Sequence, residues 1–166
     1  MAAWEQDKAW SDKFLDEIKG ILGRLLISAS PAIEDKQHNT DLIVLKLESV
    51  RIACRVRKFK YFDSYSDELT IRSSRPGADT ELRKIIEGWG DYFFYGFADQ
   101  EDSRLVKWIV VDLKKFRLWF CRQLCKLQGK TPGSERTNSD GSSKFLVFKV
   151  EELKDAIIAQ SEAGNV

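Results

Sequence analysis

Apolar residues at Trp10, Phe14, Ile18, Ile21, Leu22 and Leu25 recur at spacings of three and four. That period predicts one amphipathic helix over about Trp4–Leu26, ended by Gly23 and Ser28–Pro31. Residues 34–39 read as a polar loop, and beyond them the period changes to two. Thr40–Leu47 and Val50–Phe62 read as strands flanking Glu48-Ser49, a hairpin. A two-residue turn there pairs residue 41 with 56, whereas one more loop residue pairs 41 with 57. Glu68–Ser74 supplies a third strand, and Thr80 is placed to cap a helix whose stripe is Leu82, Ile85, Ile86 and Trp89.

Asp91–Ala98 and Leu105–Val111 form a second hairpin across an acidic turn, and both strands are apolar on both faces, as in the middle of a covered sheet. Trp89, Tyr92, Phe93, Phe94, Tyr95 and Phe97 read as core. Asp112 can cap a helix running to about Gln128. Gly129–Ser143, rich in Gly, Ser and Thr, reads as a flexible loop. A strand over Lys144–Val150 and a closing helix over Glu151–Gln160 complete the chain. The order predicts an α+β fold: a mostly antiparallel mixed sheet flanked by helices. Its α-β-β-β-α-β core is followed by a hairpin strand, a helix and a strand-helix.

A chain of 166 residues suits one domain, residues 1–166, burying about 70% of its unfolded surface. Lysine and arginine number 27 against 26 acids, a net charge of +1. A whole-molecule field for an anionic partner is therefore absent, and any anion site must come from local segregation. Apolar runs fall far short of the roughly 18 residues of a membrane span, and the polar N-terminus does not read as a signal peptide, so none is expected. Cys121 and Cys125 lie one helical turn apart, about 5–6 Å between Cβ atoms, too far for a disulfide. Three free thiols and a cytoplasmic location are expected. One histidine, His38, supports no Cys/His zinc set; it could move protons, but in a loop it reads first as a polar surface residue.

Charge is concentrated in two places. Arg51–Lys60 carries five cations and no anion, with Arg51, Arg55 and Arg57 on one strand face and Arg72 able to join them. Guanidinium forks match phosphate oxygens, so the row is a candidate phosphate track. The other reading is a solvated face paired with Glu48, Asp63, Asp67 or Glu68. The second place, Arg104–Lys130, has eight cations against one acid. There Lys115, Trp119, Arg122 and Lys126 share a helix face, suited to gripping a nucleic-acid backbone and stacking a base. Alternatively Trp119 completes the core and the cations solvate the helix. No Gly-rich phosphate loop is present.

The element order over Trp4–Ala98, with Thr40-Asp41 before an apolar strand, is similar to the core of PD-(D/E)xK nucleases. Other segments resemble uncharacterised phage and prophage proteins. The nuclease resemblance implies a metal site for Mg²⁺ or Mn²⁺ built from Asp41 with Glu17 or Asp16. The family's E-x-K position reads Arg55-Val56-Arg57, which replaces a hard oxygen ligand by a cation. Three readings follow. The first is a phage-associated nucleic-acid-binding protein with a degenerate nuclease-like core that does not cut. The second is an active metal-dependent nuclease using Asp41 with Glu17 or Asp16 and a relocated basic residue such as Lys58. The third is a protein-binding inhibitor of a host defence enzyme, acting through residues 63–68 and 99–103; the partner is then a host or phage protein. Under the first, replacing Arg55 and Arg57 by Gln is expected to lower the salt dependence of binding with little loss of stability.

Overall fold

The N-terminal apolar stripe folds as two helices, α1 (Ala3–Asp12) and α2 (Leu15–Leu26), and not as one. The break follows Ser11, whose hydroxyl donates back to the Lys8 carbonyl at 3.0 Å, a contact that bends helices. The Phe14 amide then closes a tight turn on the Ser11 carbonyl at 3.2 Å. Phe14, Ile18 and Ile21 are buried, as the stripe requires. The computed structural model describes residues 3–29, 42–44 and 50–161. Asp41, His38 and Glu48 lie outside the described residues.

The chain divides into two compact units, Met1–Ser49 and Val50–Val166. In the first, strand β1 (Ile27–Ala29) stands where a helix stop was expected. It pairs antiparallel with β2 (Leu42–Val44), Ile27 opposite Val44. The first unit thus gives β2 a partner other than the Val50–Phe62 strand expected for it.

In the second unit β3 (Ile52–Arg57) is shorter than expected. A 3₁₀ turn (Phe59–Tyr61) and the one-turn helix α3 (Phe62–Tyr65) replace the rest of the strand. Aromatic packing explains the stop. Phe59 and Phe62 stack at 5.7 Å, and Phe62 meets Phe97 edge-on at 5.8 Å, so the segment folds onto the core. Next come β4 (Glu68–Ser74), α4 (Glu81–Ile86), β5 (Tyr92–Ala98), β6 (Leu105–Asp112) and α5 (Leu113–Lys126). Strands β7 (Ser134–Thr137), β8 (Lys144–Lys149) and β9 (Ile157–Gln160) follow. Thr80 and Asp112 cap α4 and α5 as expected, accepting from the Arg83 and Lys115 amides. Helix α4 ends before Gly88 and Gly90, both at positive φ, and Trp89 is 61% exposed. It therefore does not belong to the core, unlike Phe93, Phe94, Tyr95 and Phe97.

One sheet has the order β3-β5-β6-β9 and the other β4-β8-β7. Every pairing is antiparallel except β3 with β5, so the fold is α+β with a mixed and an antiparallel sheet flanked by helices. Leu69 and Ile71 of β4, Phe93, Tyr95 and Phe97 of β5, Phe116 and Phe120 of α5, and Phe148 of β8 form the core. Two C-terminal expectations change. The stretch read as a loop contains β7, admitted by Gly133 at φ 85°, where a Cβ would lie 2.8 Å from the Val147 carbonyl oxygen and the Phe148 ring. The closing helix is instead a 3₁₀ turn (Val150–Leu153) followed by β9. The β-branched pair Ile157-Ile158 prefers a pleated edge, and β6 offers one. Among the described residues Cys54, Cys121 and Cys125 are free thiols.

Candidate functional site

Strand periodicity decides where the arginine row goes. Residues in register across β3 and β5 share a face, and the register places Ala53, Arg55 and Arg57 beside Phe93, Tyr95 and Phe97. The face that carries the arginines is therefore the face that carries the core. At the edge of that face their long side chains reach across to β4.

Arg55 is about a quarter exposed. It donates to the Thr70 carbonyl at 3.0 Å and pairs with Glu81 at 2.9 Å. Glu81 also accepts from the Arg72 amide at 3.1 Å, so one carboxylate ties β3, β4 and α4 together. Arg57 donates to the Thr70 hydroxyl at 2.8 Å, and that hydroxyl shares a hydrogen bond with the Tyr95 hydroxyl at 3.0 Å. Thr70 is buried, so these bonds satisfy groups that water does not reach. Arg51 is exposed; its amide donates to Asp91 at 2.8 Å, which closes the start of β3 onto β5. Among the described residues the carboxylate partner of Arg55 is thus Glu81, not Asp63, Asp67 or Glu68; Glu48 lies outside them.

Beyond Arg57 the cations alternate with rings. The Arg57 guanidinium lies 4.4 Å from the centre of the Tyr61 ring, and the Lys60 ammonium lies 5.0 Å from it. Tyr61 and Tyr65, one helical turn apart, have ring centres 6.4 Å apart. The Arg136 guanidinium of β7 lies 5.3 Å from the Tyr65 ring. Arg57, Tyr61, Tyr65 and Arg136 therefore form a continuous file from β3 to β7. Tyr61 is half-buried against the core and Tyr65 is exposed.

Arg136 is held by a bidentate pair with Glu68, both N–O distances 2.9 Å. Glu68 is only 3% exposed, and Lys149 joins it at 3.1 Å while also pairing with Asp67 at 3.0 Å. The Lys149 hydrogen bond holds the Asp67 carboxyl below its ordinary range. The same bond, with help from Glu68, pushes the Lys149 ammonium up.

The second basic face divides. Lys115, Arg122 and Lys126 are exposed on α5. Trp119 is half-buried, meeting Phe148 edge-on at 5.6 Å and Phe116 at 5.9 Å, so it packs against the core. Arg117 of the same helix donates to the Ile85 carbonyl at 3.3 Å and ties α5 to α4. Of the nuclease-like ligands, Glu17 is half-buried in the first turn of α2, and Asp16 pairs with Lys19 at 2.9 Å. Among the described residues no group of three or more His, Cys, Asp or Glu converges as a metal site. Part of each acidic stretch is engaged within the fold: Asp67 and Glu68 by Lys149, and Asp99 by Ser103. Asp99 accepts from the Ser103 hydroxyl at 2.6 Å and the Ser103 amide at 2.7 Å, which holds its carboxyl below the ordinary range.

The sequence reading named Arg55 and Arg57 but missed Tyr61, Tyr65 and Arg136. A tyrosine pair at i, i+4 beside a basic strand was a readable signal. Arg136 was not readable, because nothing in residues 129–143 announces that β7 pairs with β8. Compared with known proteins, the chain matches no family model, no curated protein and no solved structure.

Proposed function

We propose that the chain is a phage-associated protein that binds nucleic acid without cutting it, as the resemblance to a PD-(D/E)xK nuclease core with a degenerate motif suggests. The observation that carries this reading is the file Arg57–Tyr61–Tyr65–Arg136, with Lys60 beside it. Guanidinium forks suit phosphate oxygens, and tyrosine rings suit bases. Among the described residues Arg57 hydrogen-bonds a hydroxyl and not a carboxylate, which keeps its charge available to an anion. A guanidinium neutralises a phosphate but generates no activated water, because it does not lose its proton. The site therefore favours holding a phosphodiester over hydrolysing it.

The test is fluorescence anisotropy of labelled oligonucleotides with the full chain, in Mg²⁺ and in Mn²⁺, across a salt series. The expected result is saturable binding that weakens with salt, with the oligonucleotide intact and with affinity reduced in Arg57→Gln. Cleavage abolished by Asp41→Asn would replace this reading with that of a metal-dependent nuclease. Absence of binding at low salt would reject it in favour of a protein partner.

A further inference from the structure

We infer that the strand this face takes is single, with a base stacked on Tyr65; the inference rests on the nucleic-acid reading and narrows it. The first argument is electrostatic. Duplex binders make about 6–10 phosphate contacts with unneutralised cations. Here Arg55 is paired with Glu81, Arg136 with Glu68, and Lys149 with both Asp67 and Glu68. Among the described residues that leaves, within the file, Arg57, bonded to the Thr70 hydroxyl, and Lys60. Two such charges on a chain of net charge +1 carry little duplex affinity.

The second argument is the identity of what lies between the cations. An exposed tyrosine stacks with an unpaired base of any sequence, whereas the base faces of a duplex are covered by their neighbours. Tyr65 is exposed, and Arg136, fixed by its bidentate bond to Glu68, backs its ring. The platform is therefore pre-organised, which limits the ordering cost of binding. The third argument is shape. This face is built from strands, a three-residue 3₁₀ turn and the four-residue α3; no helix there is long enough to lie in a major groove, and its strands belong to sheets of four and three strands, not to a two-stranded ribbon.

The test uses the full chain with labelled strands of roughly 12 nucleotides, a length within the span of known single-strand sites. Oligothymidine, oligouridine and a mixed-sequence duplex of equal length are compared at low salt. Single strands are expected to bind at least about tenfold more tightly than the duplex. Tyr65→Leu should weaken them about tenfold and leave the duplex unchanged, and Tyr65→Phe should retain binding within about twofold, because the ring does the stacking. Comparison of the two sugars tells DNA from RNA. Equal binding of strand and duplex, or single-strand binding insensitive to Tyr65→Leu, overturns the inference and leaves the nucleic-acid reading standing. Single-strand binding lost on replacing Lys115, Arg122 and Lys126 overturns it in favour of α5. Failure to bind any of the three oligonucleotides rejects the nucleic-acid reading itself.

Discussion

The arginines of β3 and the cations of α5 look alike in sequence, and the fold uses them in opposite ways. On the strand, alternation sends Arg55 and Arg57 to the side of Phe93, Tyr95 and Phe97, where they bond Thr70 and Glu81. On the helix, a period of 3.6 gives the apolar residues one side, led by Phe116 and Phe120, and leaves Lys115, Arg122 and Lys126 exposed on another. On β3 both faces are covered: Val56 is buried on one, and Arg55 and Arg57 lie beside Tyr95 and Phe97 on the other. On α5 only one side is covered, so a cation there can stand clear of the core. The strand cations are consequently part of the fold as well as of the proposed site, and the helix cations belong to the surface.

The largest effect should come from Arg136, the far end of the file. Arg136→Ala leaves Glu68, 3% exposed, with Lys149 as its remaining partner. Stability measured by urea denaturation should fall by about 1–3 kcal/mol. A loss under about 0.5 kcal/mol would place Arg136 with the helix cations and break the comparison.

The second effect is smaller. Arg55→Gln removes the pair with Glu81, itself about a quarter exposed, and the bond to the Thr70 carbonyl. A loss of about 1–2 kcal/mol is expected, and Arg57→Gln should cost less, because Thr70 keeps its bond to Tyr95. Combining the two substitutions, expected from sequence to spare the fold, should therefore destabilise it. The cleaner probe of binding is Arg57→Gln alone.

The legibility of these features follows from how local their causes are. The β5–β6 hairpin, the Thr80 and Asp112 caps and the buried aromatics of β5 rest on neighbours in sequence, and all were readable. The partner of Glu68 is Arg136, and the partner of Arg55 is Glu81. Both pairs form only after elements distant in sequence have been placed, β4 with β7 and β3 with α4, so no local period signals them. The C-terminal segment failed for a related reason. Glu151–Gln160 has helix-forming residues, but the open edge of β6 takes Ile157–Gln160 as a strand. Asp41 and His38 lie outside the described residues, so the nuclease-like ligand set stays a matter for the Asp41→Asn experiment.

A smaller effect sharpens the comparison from the helix side. Replacing Lys115, Arg122 and Lys126 together by Gln should leave stability within about 0.5 kcal/mol, since all three are exposed. Under the proposed site, single-strand affinity should also stay within about threefold, with any salt dependence attributed to these residues falling by less than one unit. A loss of affinity matching that of Arg57→Gln would move the interface to α5.

The smallest effect is the acid dependence of the Asp67–Lys149 pair, which sits beside Glu68 at the base of the file. The Lys149 hydrogen bond depresses the Asp67 carboxyl, so the folded state binds this proton less readily than the unfolded chain does. The contribution is therefore fully present above about pH 3.9, the value for a free aspartate, and is lost as pH falls through the lower folded value. Lys149 has the opposite sense. Its raised folded value means that its share persists through neutral pH and is lost only in strong alkali. Asp99, depressed chiefly by the Ser103 hydroxyl, and Asp140, depressed chiefly by the Ser142 amide, titrate with the same sign as Asp67. Stability measured by urea denaturation should thus decline below about pH 4, and Asp67→Asn should flatten part of that decline, not all of it. The helix-face triple replacement should leave the profile unchanged in shape. A profile that Asp67→Asn does not alter would show that Lys149 is held by Glu68 alone, and would shrink the charged base of the file to the Glu68–Arg136 pair.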